Sequence, residues 1–154
     1  MALDSNDLKV IERLMENART SWADLGTLIG LSAPAAADRV HKLEESGVIK
    51  GYSALIDPDA LGYGLAAFIS VTLERPENRA DFLKKVNDLP EIQECHHVAG
   101  NEDYILKVRC TSTRDLERLV SEEIKSLQGV KTKTTVILST VKETPILPIK
   151  VGKE

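Results

Sequence analysis

The chain has 154 residues, 42% apolar and 29% charged, with a net charge of −4 from 20 basic and 24 acidic side chains. That balance suits one ordinary domain or two small ones, and no run approaches the roughly 18 apolar residues of a membrane span. The acidic, helical start lacks the pattern of a secretion signal, and Cys95 and Cys110 show neither CxxC spacing nor a disulfide framework, so a cytoplasmic protein with no membrane partner is expected.

Residues 1 to 47 read as three helices. Leu8, Ile11, Leu14 and Met15 recur at helical spacing after a cap at Asp4 or Ser5, and "NART" ends the helix. Ser21 caps the second helix, whose apolar side is Trp22, Leu25, Leu28 and Ile29, and Gly30 closes it. Ser32 caps the third, with Pro34 in the first turn, where an amide has no helical partner to lose. Ala36, Val40 and Leu43 form its buried stripe and Gly47 stops it. From Val48 the period changes. Tyr52, Ala54 and Ile56 alternate with Ser53 and Leu55, which predicts a strand, and the turn-rich "DPDALGYG" (57–64) follows as a hinge.

Beyond the hinge, strand and helix patterns alternate. A strand over 65–74 leads to a helix carrying Phe82, Val86 and Leu89, then strands over 91–99 and 104–110 joined by the turn "GNED". A helix with Leu116, Leu119, Val120, Ile124 and Leu127 closes at Gly129, and a last strand spans 130–143. Strand-helix-strand-strand-helix-strand is the ferredoxin-like plan. The expected fold class is therefore α+β: an N-terminal winged helix-turn-helix domain and a C-terminal ferredoxin-like βαββαβ domain. The expected boundaries are 1–50 for the first, 51–64 for a strand-containing hinge, and 65–154 for a sensing and oligomerisation domain.

Two helices joined by a glycine-containing turn, the second followed by a strand, form a helix-turn-helix pattern whose second helix enters the DNA major groove N-terminus first. The small front of that helix, Ser32, Ala33, Pro34 and Ala35, lets backbone amides approach phosphates closely. Ser21 and Ser32 offer hydroxyls, Arg39 and Lys42 lie off the apolar stripe, and Lys50 on the following strand reaches the neighbouring backbone. The competing reading is a plain three-helix bundle in which the alanines only favour helix. Local charge does not decide between them, because residues 32–50 balance Arg39, Lys42 and Lys50 against Asp38, Glu44 and Glu45. Few side chains suited to reading base edges are present, so specificity through DNA shape and several modules acting together is expected.

"LDSNDLKVIERLMENARTSWADLGTLIGLSAPAAADRVHKLEESGVIKGYSALIDPDALGYG" resembles the N-terminal half of the leucine-responsive regulatory protein/AsnC (Lrp/AsnC) family, with its N-A-R, G-L-S and R-V-x-K-L-E-x-x-G-V-I-x-G-Y segments. "VAGNEDYILKV" and "KTKTTVIL" resemble the ligand-binding half. The resemblance implies a transcription regulator that binds double-stranded DNA, pairs into homodimers through its ferredoxin-like half, often assembles to octamers, and commonly senses an amino acid.

By the same resemblance the turn Ala99-Gly100-Asn101-Glu102-Asp103-Tyr104 is the effector loop. From the residues alone, Gly100 permits a tight reversal, Glu102 or Asp103 suits an ammonium, and Thr134 or Thr135 offers a hydroxyl to a carboxylate. An ordinary hairpin with solvated acids is the alternative. The family often has a hydroxyl residue where Ala99 stands and an aromatic where Glu102 stands, a departure that suits a polar or cationic effector better than an apolar one. "ECHHVA" holds soft donors on one strand, but nothing converges them, so they are read as sheet residues and no metal or other cofactor is expected. No nucleophile–base–acid set is evident and an enzyme is not expected. One face of the sheet is left for a second copy of the chain to cover. The rival functions are an effector-independent architectural DNA-binding protein and a metabolite-binding protein whose DNA-binding half has decayed.

Overall fold

The computed structural model describes residues 2–150. They divide into two compact units, residues 2–55 with 142–150, and residues 56–141.

In the first unit, helix α1 (Ser5–Glu16) starts at Asp4, whose carboxylate accepts from the Asp7 amide while the Asp7 carboxylate accepts from the Asp4 amide. Two orphan amides are thereby satisfied reciprocally. Helix α2 (Trp22–Ile29) is capped by Ser21 and ends at Gly30, whose φ of 69° is the left-handed conformation glycine adopts without a Cβ clash. Helix α3 (Ala33–Glu45) is capped by Ser32, with proline in its first turn as expected. Val10, Leu25, Ile29, Ala36, Val40 and Leu43 form one core where the three helices meet. The turn from α2 to α3 is tight because residue 26 is glycine. A Cβ there would stand 2.6 Å from the Leu31 carbonyl oxygen.

The strand expected over residues 52–56 does not form, and with it the wing is missing. A strand needs a hydrogen-bonded neighbour, and this segment has none among the described residues of its own chain. Lys50 accordingly lies on irregular backbone. The Tyr52 hydroxyl instead donates to Glu44 Oε1 at 2.8 Å, and burial together with that carboxylate pushes the phenol up to about 12.

The second unit carries strand β1 (Leu65–Leu73), helix α4 (Arg79–Asp88), strands β2 (Ile92–His97) and β3 (Tyr104–Cys110), helix α5 (Thr113–Arg118) and strand β4 (Val130–Ile137). Helix α5 runs on through a π-helical segment to Ile124. The sheet is antiparallel in the order β2-β3-β1-β4, which is the ferredoxin-like arrangement. Strand β4 stops at Ile137, six residues short of the expected end, where its pairing with β1 runs out at Ala66.

Register decides which face is which. Ala67, Ile69 and Val71 of β1 and Tyr104, Leu106, Val108 and Cys110 of β3 are buried with Phe82, Leu116, Leu119 and Ile124. Phe68 points to the opposite, helix-free face and stays 42% exposed.

Candidate functional site

Two sets of residues were expected to carry function, and each lies within one unit. On α3, Ser32 Oγ accepts from the Ala35 amide at 3.3 Å, and on α2, Ser21 Oγ accepts from the Asp24 amide at 3.1 Å. Each hydroxyl therefore acts as an acceptor towards its own helix and keeps its O–H proton for another group. Pro34 is exposed and Ala33 and Ala35 are half-buried, so the front of α3 is accessible and free of bulky side chains. Lys42 is exposed beside Asp38, and both line a shallow cleft of about 360 Å³ with Leu31, Ala35, Arg39 and Asp7. Asp38 and His41 also lie on the solvent side of α3, and sequence reasoning did not put either in the interface. The helical period starting from Pro34 could have found them.

Arg39 is differently placed. Its Nη1 donates to Asp4 Oδ2 and Asp7 Oδ1, both at 2.7 Å, and its side chain is only 25% exposed. Hydrogen bonds to Asp4 and then Asp7 raise its pKa further, while the Asp7 amide and then Arg39 hold the Asp4 carboxyl below its ordinary value of 3.8. The guanidinium ties the N-cap of α1 to the middle of α3. It sets the position of the candidate interface from within.

In the sheet unit the hairpin between β2 and β3 positions Ala99, Gly100 and Asn101 at an exposed tip, with Glu102 and Asp103 half-buried. Gly100 is not in the left-handed region, and a Cβ there would meet nothing within 4 Å. The tight reversal expected of it is therefore not what the position requires. Asp103 is tied into the fold: its Oδ2 accepts from the Leu73 amide at 2.7 Å, and its own amide donates to the Val71 carbonyl at 2.9 Å. Tyr104 is buried between Phe82 and His97, the latter stacked on it at 4.8 Å and 23°.

Thr134 and Thr135 are not brought to this loop within one chain. They lie on β4, paired with Ile69 and Phe68 of β1, so β1 stands between them and the hairpin, and they point to opposite faces. What the fold does bring to Asp103 and Tyr104 is the end of β1 and the start of α4. Leu73, Glu74, Arg75, Pro76, Arg79 and His97 join them around an open cleft of about 200 Å³. Sequence reasoning passed over Arg75 and Arg79, because "ERPENR" reads as an ordinary charged turn and nothing in it signals the hairpin some 25 residues further on.

The soft donors of "ECHHVA" stay apart. Cys95 pairs with Leu106, and the buried Cys110 is four residues further along β3, so the two cysteines are not cross-strand neighbours. Burial pushes the Cys110 thiol up to about 11. His96, on the other face, lies 3.6 Å from Glu94.

A helix-turn-helix unit with an accessible helix front, followed by a ferredoxin-like unit, is the arrangement of a DNA-binding regulator. Residues 3–44 match the AsnC-type helix-turn-helix domain and residues 66–147 match the Lrp/AsnC ligand binding domain. The chain belongs to the Lrp/AsnC family of transcriptional regulators and is a DNA-binding transcription regulator. It is 39% identical to the HTH-type transcriptional regulator LrpA of Mycobacterium tuberculosis, over 90% of this chain and 92% of that one. It is 38% identical to the leucine-responsive regulatory protein of Haemophilus influenzae, over 97% and 92%. Among solved structures, a Neisseria meningitidis transcriptional regulator in complex with L-methionine superposes with a TM-score of 0.90 at 31% identity, covering 96% of this chain and 97% of that one. The feast or famine regulatory protein of Mycobacterium tuberculosis, also complexed with L-methionine, gives 0.88 at 37%, covering 95% and 99%. Among the described residues no helix is long and apolar enough to cross a membrane.

Proposed function

We propose that the chain holds double-stranded DNA with the front of α3, through Ser32, Ala33, Pro34, Ala35 and Lys42, with Ser21 and Lys50 on flanking phosphates. An amino acid bound at the β2–β3 hairpin would tune that binding. The accessible, small-residue start of α3 carries the first part of this reading. A helix start this bare lets backbone amides and the helix dipole reach a phosphate. Arg39 acts by positioning α3, since its guanidinium is committed to Asp4 and Asp7. Residues 1–57 hold six basic and nine acidic side chains, so one unit alone binds weakly and affinity comes from several units acting together.

The test is fluorescence anisotropy on the chain's own upstream DNA and on a scrambled fragment across a salt series. Preference for the upstream fragment is expected. Lys42→Ala should weaken binding to both fragments alike and reduce the salt slope by about one. Equal, weak binding to both fragments would instead favour the architectural reading.

Multivalency needs a second copy, and two features support a homodimer. Phe68 stands exposed on the helix-free face of the sheet, and the alternating segment 52–56, with Leu55 83% exposed, lacks the strand partner its pattern calls for. Another chain supplies cover for the first and a ladder for the second. Phe68→Asp should shift the protein to monomers in analytical ultracentrifugation, and the same runs report whether dimers continue to octamers. An unchanged mass would assign the contact to another surface. The effector part of the proposal is supported by the hairpin cleft and by the two similar regulators solved with L-methionine. An effector alters assembly or DNA affinity only by binding one state better than the other.

A further inference from the structure

Asp38 occupies an unexpected place for a helix that meets a polyanion. Helix α3 buries Ala36, Val40 and Leu43. Asp38 is two residues from both Ala36 and Val40, so at about 100° per residue it stands nearly opposite the core. Pro34 and Glu45 share that outermost line, while His41 and Lys42 flank it on either side, and all five are exposed. Cationic or polar flanks suit the phosphates that line both walls of a groove. The central line faces the floor, where the base edges are.

Within that line Asp38 has few rivals. Pro34 brings no side-chain hydrogen-bonding group, and Glu45 sits in the last residue of a helix whose N-terminal end leads. The His41 ring is held to one side, edge-on against Trp22 at 5.7 Å and 74°. Asp38 is also uncommitted. Its neighbour Arg39 is taken by Asp4 and Asp7, and no ion pair reaches the Asp38 carboxylate among the described residues.

Phosphates repel a carboxylate, so Asp38 lowers the affinity for any DNA. What it adds is discrimination. A carboxylate only accepts hydrogen bonds, whereas in the major groove guanine shows two acceptors and thymine an acceptor and a methyl group. Adenine sets its amino group beside the N7 acceptor, which would face the second carboxylate oxygen. Cytosine alone presents its N4 amino group with no acceptor next to it.

Resting on the reading that the front of α3 enters the major groove, we infer that Asp38 sets base preference by accepting a hydrogen bond from the N4 amino group of a cytosine. The measurement is selection from a pool of randomised duplexes by the full-length protein, with Asp38→Asn and Asp38→Ala run in parallel. The wild type should enrich cytosine at one position, and replacing it by guanine should cost about tenfold in affinity. Asp38→Asn should turn that preference towards adenine, whose N6 and N7 match an amide, and Asp38→Ala should erase it. Preference at every other position should be unchanged. Both variants should bind the scrambled fragment more tightly because a negative charge is gone, so the change of preference is the decisive readout. The side chain is exposed, and circular dichroism checks that both variants keep the fold.

A cytosine preference that survives both substitutions would overturn the inference and leave the α3 reading standing. So would a selected site with no cytosine preference at any position. Lys42→Ala binding as tightly as the wild type would instead remove the α3 reading, and the inference falls with it.

Discussion

Arg39 in the helical unit and the pair Arg75 and Arg79 in the sheet unit put the same chemical group to opposite uses. Arg39 bridges two carboxylates that cap another helix, and one of them, Asp7, is buried. Removing the guanidinium would leave that carboxylate with only the Asp4 amide to offset its desolvation. Arg75 and Arg79 border a cleft, face water, and have no ion-pair partner among the described residues. The first arginine is part of why the unit folds. The other two are exposed, which leaves them available for a ligand. Charge at the surface of a domain thus becomes informative only once its partners are known.

The contrast is broken most directly at Arg39. Arg39→Met should destabilise the helical unit by about 2 kcal/mol, towards the lower end for a buried pair because Arg39 keeps some solvent contact. Urea unfolding followed by circular dichroism reads this, and the Arg75→Gln, Arg79→Gln double variant should leave the same curve unmoved. The pair has a pH signature as well. Asp4 has a lowered folded pKa, so its contribution is fully present above its ordinary value of 3.8 and is lost as pH falls through the folded value. Acid unfolding monitored below about pH 4 should therefore be less steep in Arg39→Met. Equal stability of the variant and the parent would mean that Arg39 is available to DNA after all.

Strand and helix periods in the second half were readable because both are set by local apolar spacing. Ala67, Ile69 and Val71 alternate inward, and Leu116, Leu119 and Ile124 recur along one helix side. Caps at Ser21 and Ser32 were equally legible, since the capping residue and the amide it satisfies are three residues apart. What escaped was non-local. The partners of Arg39 lie 32 and 35 residues away, so its sequence neighbourhood shows only an exposed-looking cation beside the apolar stripe. The cleft joins residues 73–79 to 97–104, and its arginines become a pair with Tyr104 only after the sheet has formed. The alternation of 52–56 was read correctly as a pattern but not as a strand, because a ladder needs a second strand and the pattern does not supply one.

Two glycines differ in the same way, one fixed by its surroundings and the other free of them. Gly26→Ala would drive a Cβ to 2.6 Å from the Leu31 carbonyl oxygen, a backbone atom that cannot step aside without moving α3. A loss of about 2 kcal/mol is expected, with weaker DNA binding because the interface is displaced. Gly100→Ala should do almost nothing to stability, within about 0.5 kcal/mol, because open space surrounds the position and its φ is not left-handed. Thermal unfolding of the two variants side by side measures this contrast. Gly100→Ala then isolates any demand that comes from a ligand. If it leaves stability unchanged but weakens amino-acid binding in calorimetry, the glycine is there for close approach of the effector to the hairpin backbone. If it changes neither, the effector makes no close approach to the backbone at this position.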